Sequence, residues 1–148
     1  DLQARLMPAI TDGDTVIANA QRLLRAASLI NDPMLVTEQN PRGLGATVPE
    51  LDVSSASVID KMTFDATRAP SFPIDFGGAR SLVVIGCEAH VCVVEDAIGS
   101  RAPANKAAAV ARMRPHGAEI VTTEMVIFEW AGTADHPHFK ALVGLVKS

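Results

Sequence analysis

The residues best suited to chemistry gather in one short stretch. Gly86-Cys87-Glu88-Ala89-His90-Val91-Cys92 follows directly on an apolar run. An apolar strand, a tight turn and then a helix would put Cys92 at a helix N-terminus. Free backbone N–H groups and the helix dipole at such a point stabilise a thiolate. The same N–H groups would form an oxyanion hole for an acyl intermediate. The plainer alternative is a buried, inert cysteine, the commoner fate of a lone Cys. Spacing alone leaves both open. Cys87 sits where the strand turns and reads as a packing residue. His90 lies two residues before Cys92, and residues two apart on a helix point in nearly opposite directions. A Cys–His dyad would therefore depend on the turn geometry. His136 and His138 flank Pro137 and read as the start of the last helix, because the sequence places no third zinc ligand beside them.

Strands must position these side chains. Residues 81–86 (SLVVIG) form the clearest one: short, continuous, apolar and ended by Gly86. Such runs suit parallel strands covered on both faces. Met34-Leu35-Val36-Thr37 reads as a short buried strand, and residues 38–52, with two Gly and two Pro, as mostly loop. Ser57-Val58-Ile59 is a strand that delivers Lys61. Residues 93–97 and 119–123 read as two more. The spacing predicts an amphipathic helix over 14–30, with Val16, Ile17, Ala20, Leu23, Leu24 and Ala27 at intervals of three and four and Asp12 or Asp14 as N-cap. An Ala-rich helix over 103–116 has Pro103 in its first turn and Gly117 as its C′ residue. A helical pair, 124–131 and 137–147, completes the chain. Alternating strands and helices imply an α/β fold: a three-layer α/β/α, Rossmann-like arrangement around a parallel sheet. Ligands of such sheets bind at the carboxyl ends of the strands. Glu38 and Gln39, Lys61, and Glu88 to Cys92 all follow strands at those ends.

One domain is expected for 148 residues, and 48% hydrophobic residues are enough to build a core. With 20% charged residues the composition argues against disorder. A net charge of −4 with scattered basic residues argues against a nucleic-acid partner. No apolar run approaches the ~18–20 residues that span a bilayer, and no signal-peptide pattern is present. Two cysteines five residues apart suit free thiols in a reducing cytoplasm.

Several segments in order carry a resemblance: Asp1-Leu2-Gln3, VTEQNPRGLGATVPEL, DKMTFDA around Lys61, and GCEAHVCV. Together they resemble the isochorismatase-like cysteine hydrolases, a family that includes nicotinamidases and carbamoyl-amide hydrolases. DAIGSR, ARMRPHGAEIVTTE and HPHFK fit its isochorismatase domain-containing subgroup. The resemblance covers nearly the whole chain and implies an Asp-Lys-Cys triad of Asp1, Lys61 and Cys92. In those roles Asp1 accepts the thiol proton and later activates water, Lys61 holds Asp1 and favours the thiolate, and Cys92 attacks a carbonyl carbon. Backbone N–H groups at Ala89 and Cys92 would hold the oxyanion, with a cis peptide at Glu88-Ala89. Gln39, Arg42 and Phe64 are candidates for the substrate pocket, Arg42 through a bidentate contact to a substrate carboxylate. A solvated role for Arg42 and a core role for Phe64 are the plain alternatives. The metal-binding branch has an Asp-x-His motif where this sequence reads Thr37-Glu38-Gln39, so no metal or other cofactor is expected. The resemblance also implies a small-molecule substrate and a homo-oligomer, a dimer or larger. Phe128 and Trp130 suit either its interface or the core.

Two features depart from the family pattern. Its opening strand should precede Asp1, so an upstream segment is expected. Cys92 also runs straight into Val93-Val94-Glu95, whereas a parallel crossover needs a dozen or more residues. About a dozen to twenty residues are therefore expected to be missing near 92–95, with a gap in the chain there. The resulting expectation is a cytoplasmic hydrolase of a small amide, carbamoyl or related compound. The alternatives are a catalytically silent binding or interaction protein on the same fold, and a thiol redox sensor at Cys92.

Overall fold

The computed structural model describes residues 1–63, 66–73, 82–87 and 92–147, with Cys92 described by its backbone alone. Among the described residues, five strands and five α-helices follow in the order α1 (Gly13–Leu29), β1 (Leu35–Gln39), α2 (Pro41–Leu44), β2 (Ser57–Lys61), β3 (Val83–Gly86), β4 (Cys92–Ile98), α3 (Pro103–Met113), β5 (Ile120–Val121), α4 (Thr123–Ala131) and α5 (Phe139–Val146). The pairings between these strands are parallel, and an isolated antiparallel bridge joins Gln3 to Thr47. Two separate sheets result, β1-β2 and β3-β4-β5.

The layers follow from which side chains the strands bury. Val94, Ala97 and Val121 face α1, α4 and α5, packing on Leu23, Ala26, Ile127 and Leu142. Val93 and Ile98 pack on Val110 and Met113 of α3, with Ile120 beside them. Adjacent residues thus feed opposite layers, as strand geometry requires, and the sheet is covered on both faces in an α/β/α sandwich. A further cluster gathers Leu2, Met7, Ile10, Val16, Ala20, Val48 and Leu51 under the chain's first ten residues. Gly99 is needed there, because a Cβ at that position would run into Ile10 Cγ2. Trp130 packs against the main core, while Phe128 lies exposed on α4.

The expected helices form with small shifts. Asp12 occupies the N-cap of α1 at φ 56°, without a side-chain cap hydrogen bond, and Asp14 lies in the first turn, where its charge suits the helix dipole. Gly117, at φ 87°, ends the turn that follows α3. The last strand is shorter than expected because Thr122 is recruited as N-cap of α4, accepting from the Met125 N–H. The 38–52 segment contains the single helical turn α2, entered through Asn40 at φ 42°. The last helix starts at Phe139, with His138 at its N-cap.

The placement of Cys92 corrects the sequence-based expectation. No turn-to-helix transition follows it; Cys92 is the first residue of β4, opposite Val83 at the start of β3. The physical reason is the five-residue link between the two strands, too short to carry a crossover helix. In this chain, β4 runs from Cys92 to Ile98. Its register is irregular. Val84 pairs with Val93 and Gly86 with Ile98, so β4 carries three more residues than β3 over that stretch. The extra residues are taken up as a bulge.

Candidate functional site

β1 and β2 build the site's polar floor. Their parallel register sets Gln39 opposite Lys61 and Thr37 opposite Ile59, so Thr37, Gln39 and Lys61 share one face at the carboxyl edge. Asp1 lies above that face. Its Oδ1 accepts from Thr37 Oγ1 at 2.7 Å, and its Oδ2 lies 2.6 Å from Lys61 Nζ. Lys61 Nζ also donates to Gln39 Oε1 at 2.9 Å. The Gln39 amide is oriented by its other end, where Nε2 donates to the Met62 carbonyl at 3.0 Å. The Lys61 side chain is only 3% exposed and that of Asp1 14%. Two opposite charges are thus held together with little water, each with an added neutral hydrogen-bond partner, as a buried pair requires.

Asp1 is placed from the other side by β3. Gly86 ends that strand at φ 113°, and a Cβ there would lie 3.3 Å from the Asp1 nitrogen. Glycine is therefore needed both for its backbone conformation and for the close approach of the chain's first residue. Asp1 and Gln3 thus bond to β1 and β2 through their side chains, while the Asp1 nitrogen and Leu2 lie against Gly86 of β3.

Two polar side chains clamp the loop beside the site. Gln3 is fully buried. Its Oε1 accepts from the Gln39 N–H at 2.8 Å, and its Nε2 donates to the carbonyls of Gln39 and Gly45. Glu38, on the opposite face of β1, accepts from both the N–H and the hydroxyl of Thr47. Beside Lys61 a depression of about 430 Å³ opens, lined by Asn40, Pro41, Arg42, Asp60 and Met62.

The structure therefore brings Asp1 and Lys61 together and sets Arg42 on the rim of the neighbouring depression. Gln39 does not line that depression, because its amide is spent on Lys61 and Met62. The Cys92 backbone lies elsewhere. It pairs with Val83, three residues before the Gly86 that touches Asp1, which is about 10 Å back along the strand. Glu88, Ala89 and Phe64, and with them the expected cis peptide and oxyanion turn, lie outside the described residues. Among the described residues no three His, Cys, Asp or Glu side chains gather into a metal-binding group. His136 and His138 stand with ring centroids 5.8 Å apart. Thr37 and Gln3 were missed as site residues. The available signal was Thr37 two positions before Gln39, on the same strand face, and Gln3 two positions after Asp1.

No family model matches the sequence. Curated proteins do. Isochorismatase domain-containing protein 2 of Macaca fascicularis is 35% identical over 164 residues, a match covering 99% of this chain and 80% of the relative. This chain belongs to the isochorismatase domain-containing family. Isochorismatase domain-containing protein 1 of Salmo salar is 31% identical and is matched along the whole of this chain. The chain spans 59% of the length of the Salmo salar protein. Among solved structures, the MAR1 ribonuclease of Caenorhabditis elegans superposes with a TM-score of 0.84 at 27% identity, covering 100% of this chain and 86% of that one. The Salmo salar alignment runs over 167 positions for the 148 residues here, so about nineteen positions face gaps in this chain. Within the described residues, no helix is long and apolar enough to cross a membrane.

Proposed function

We propose that this isochorismatase domain-containing protein hydrolyses a small amide, carbamoyl or related compound, with Cys92 as nucleophile and Asp1 and Lys61 as its partners. The observation that carries the reading is the Asp1–Lys61 ion pair, built into the carboxyl edge of a parallel sheet beside an open depression. A binding module has no need of a buried carboxylate–ammonium pair at that edge. In the reaction the Cys92 thiol gives its proton to Asp1, and the thiolate forms a C–S bond to the carbonyl carbon. The leaving amine takes that proton as its bond to carbon breaks. Asp1 then deprotonates a water, which forms a C–O bond to the thioester carbon and releases the thiolate.

A second reading, a catalytically silent binding protein, is favoured by the register of Cys92 at the start of β4. The gaps against relatives and the five-residue link lead us to place the missing residues between β3 and β4, where a crossover helix would let Cys92 reach the carboxyl edge. The test is the pH dependence of alkylation at Cys92 and Cys87, followed by peptide mass spectrometry on the folded protein. Fast labelling of Cys92 well below pH ~8.5, lost in Lys61→Ala, is the result expected of the hydrolase. Equal and slow labelling of both thiols overturns it in favour of the binding protein. The ribonuclease name of the Caenorhabditis elegans protein belongs to that protein. With a net charge of −4, this chain is expected to leave single- and double-stranded RNA intact.

A further inference from the structure

The amide of Gln3 does more than fill the core. Gln39 presents its N–H and C=O to the open edge of β1, the edge away from β2. The Gln3 side chain answers both, with Oε1 2.8 Å from the N–H and Nε2 3.1 Å from the carbonyl. It thus stands in for one residue of a neighbouring strand, while its second Nε2 proton holds the Gly45 carbonyl. Gln39 in turn sends its own amide across to β2, onto Lys61 Nζ and the Met62 carbonyl. Two glutamines in series therefore connect the buried segment after Asp1 to the ammonium that Asp1 binds. Because Gln3 is fully buried with these contacts made, its rotamer is over-determined, and Gln39 inherits that order.

We propose that Gln3 is a positioning residue for Lys61, acting through Gln39. This inference rests on the reading of Asp1 and Lys61 as reactive groups. The relay fixes the Lys61 ammonium at a point where Asp1 and Gln39 both accept from it. Among the described residues, the other charged groups at these strand ends do not replace Gln39. Glu38 faces the opposite side of β1 and is occupied by Thr47. Asp60 lies on the exposed face of β2.

The experiment is an NMR titration of the Lys61 side chain in the full chain without substrate, its signal assigned by Lys61→Arg. Gln39→Leu should lower the Lys61 midpoint by about half a pH unit or more through loss of one acceptor. Gln3→Leu should lower it in the same direction, and the double variant should add little to either single change. If Gln3→Leu does not fold, Gln3→Asn keeps the amide but withdraws it by one methylene, and the same fall is expected. An unchanged midpoint in Gln39→Leu overturns the proposal. So does a Gln3 variant that loses thermal stability while Lys61 titrates as before, because that is the mark of a packing role alone. Titration shifts as expected, in a protein with no thiolate at Cys92, would remove the hydrolase reading and leave the relay standing.

Discussion

Lys61 reaches across sixty residues of sequence to place its ammonium 2.6 Å from the carboxylate of Asp1. Removing one partner takes the opposite charge away from a group held with little water. Lys61→Met is therefore expected to destabilise the fold by about 3 kcal/mol, measured by urea denaturation at neutral pH. Asp1→Asn combined with Lys61→Met should recover part of that loss. A double variant as unstable as the sum of the singles would show that the pair is not coupled.

Gly99 lies against Ile10 and Val16, where the first residues of the chain fold onto α1. Ile10 is branched at the carbon next to its backbone and cannot swing aside cheaply. Gly99→Ala should cost about 1–3 kcal/mol by overpacking. Ile10→Ala in the same background should relieve the clash, so the double variant should be less unstable than the two single losses combined. Strict additivity in thermal melts would contradict the packing account.

Asp96 ties β4 to the start of α4: its Oδ1 accepts from both the N–H and the hydroxyl of Thr123. Its backbone carbonyl separately takes the amide of Asn19 on α1. Asp96→Ala leaves two donors at the start of α4 without their acceptor and should cost about 1–3 kcal/mol. Asp96→Asn keeps an acceptor oxygen and should cost clearly less. Equal losses for the two variants would mean that charge, not hydrogen bonding, matters at this position.

The carboxyl group of Asp52 titrates below its ordinary 3.8, because the hydroxyl and the N–H of Ser54 both donate to it. A depressed folded-state value means that the carboxylate favours the fold above about pH 4 and that this help is lost as pH falls through the lowered value. Ser54→Ala removes one of the two donors. It should move the Asp52 midpoint back toward 3.8 in an NMR titration. At neutral pH the stability should scarcely change, since the group is fully exposed.

Much of the fold was legible in the sequence. The periodicity of α1 and the apolar run of β3 stand in the structure within two residues of their expected positions. Lys61 was readable as a strand-end residue because the strand before it is short and marked by a β-branched pair, Val58 and Ile59. Thr122 was not legible as a cap, since Ile120 to Thr123 is also a good β-branched run and only the packing of α4 decides between the two. The strand register of Cys92 had no local signal. A helix after Cys92 requires residues that the chain does not contain, so a short link prevailed over the family pattern. Gln3 entered the sequence reading only as part of the Asp1-Leu2-Gln3 segment, because no local pattern marks a glutamine as buried. Its burial is a tertiary event, created by the gap between β1 and β3.

That gap also governs how the molecule opens. Among the described residues, β1 and β2 bond to each other and to no other strand; they are tied to the rest through Asp1 to Gln3 and through Val48 and Leu51, which pack with Val16 and Ala20 of α1. Native proteins unfold in cooperative parts of unequal stability, and weakly tied elements open first. The β1-β2 unit is therefore tied less directly than the strands within β3-β4-β5, through the first three residues and the packing on α1. Lys61 sits on one side of the seam and the Gly86 that seats Asp1 on the other. Asp1 thus gives its carboxylate to Thr37 and Lys61 while its backbone nitrogen lies against Gly86, so a single residue spans the seam.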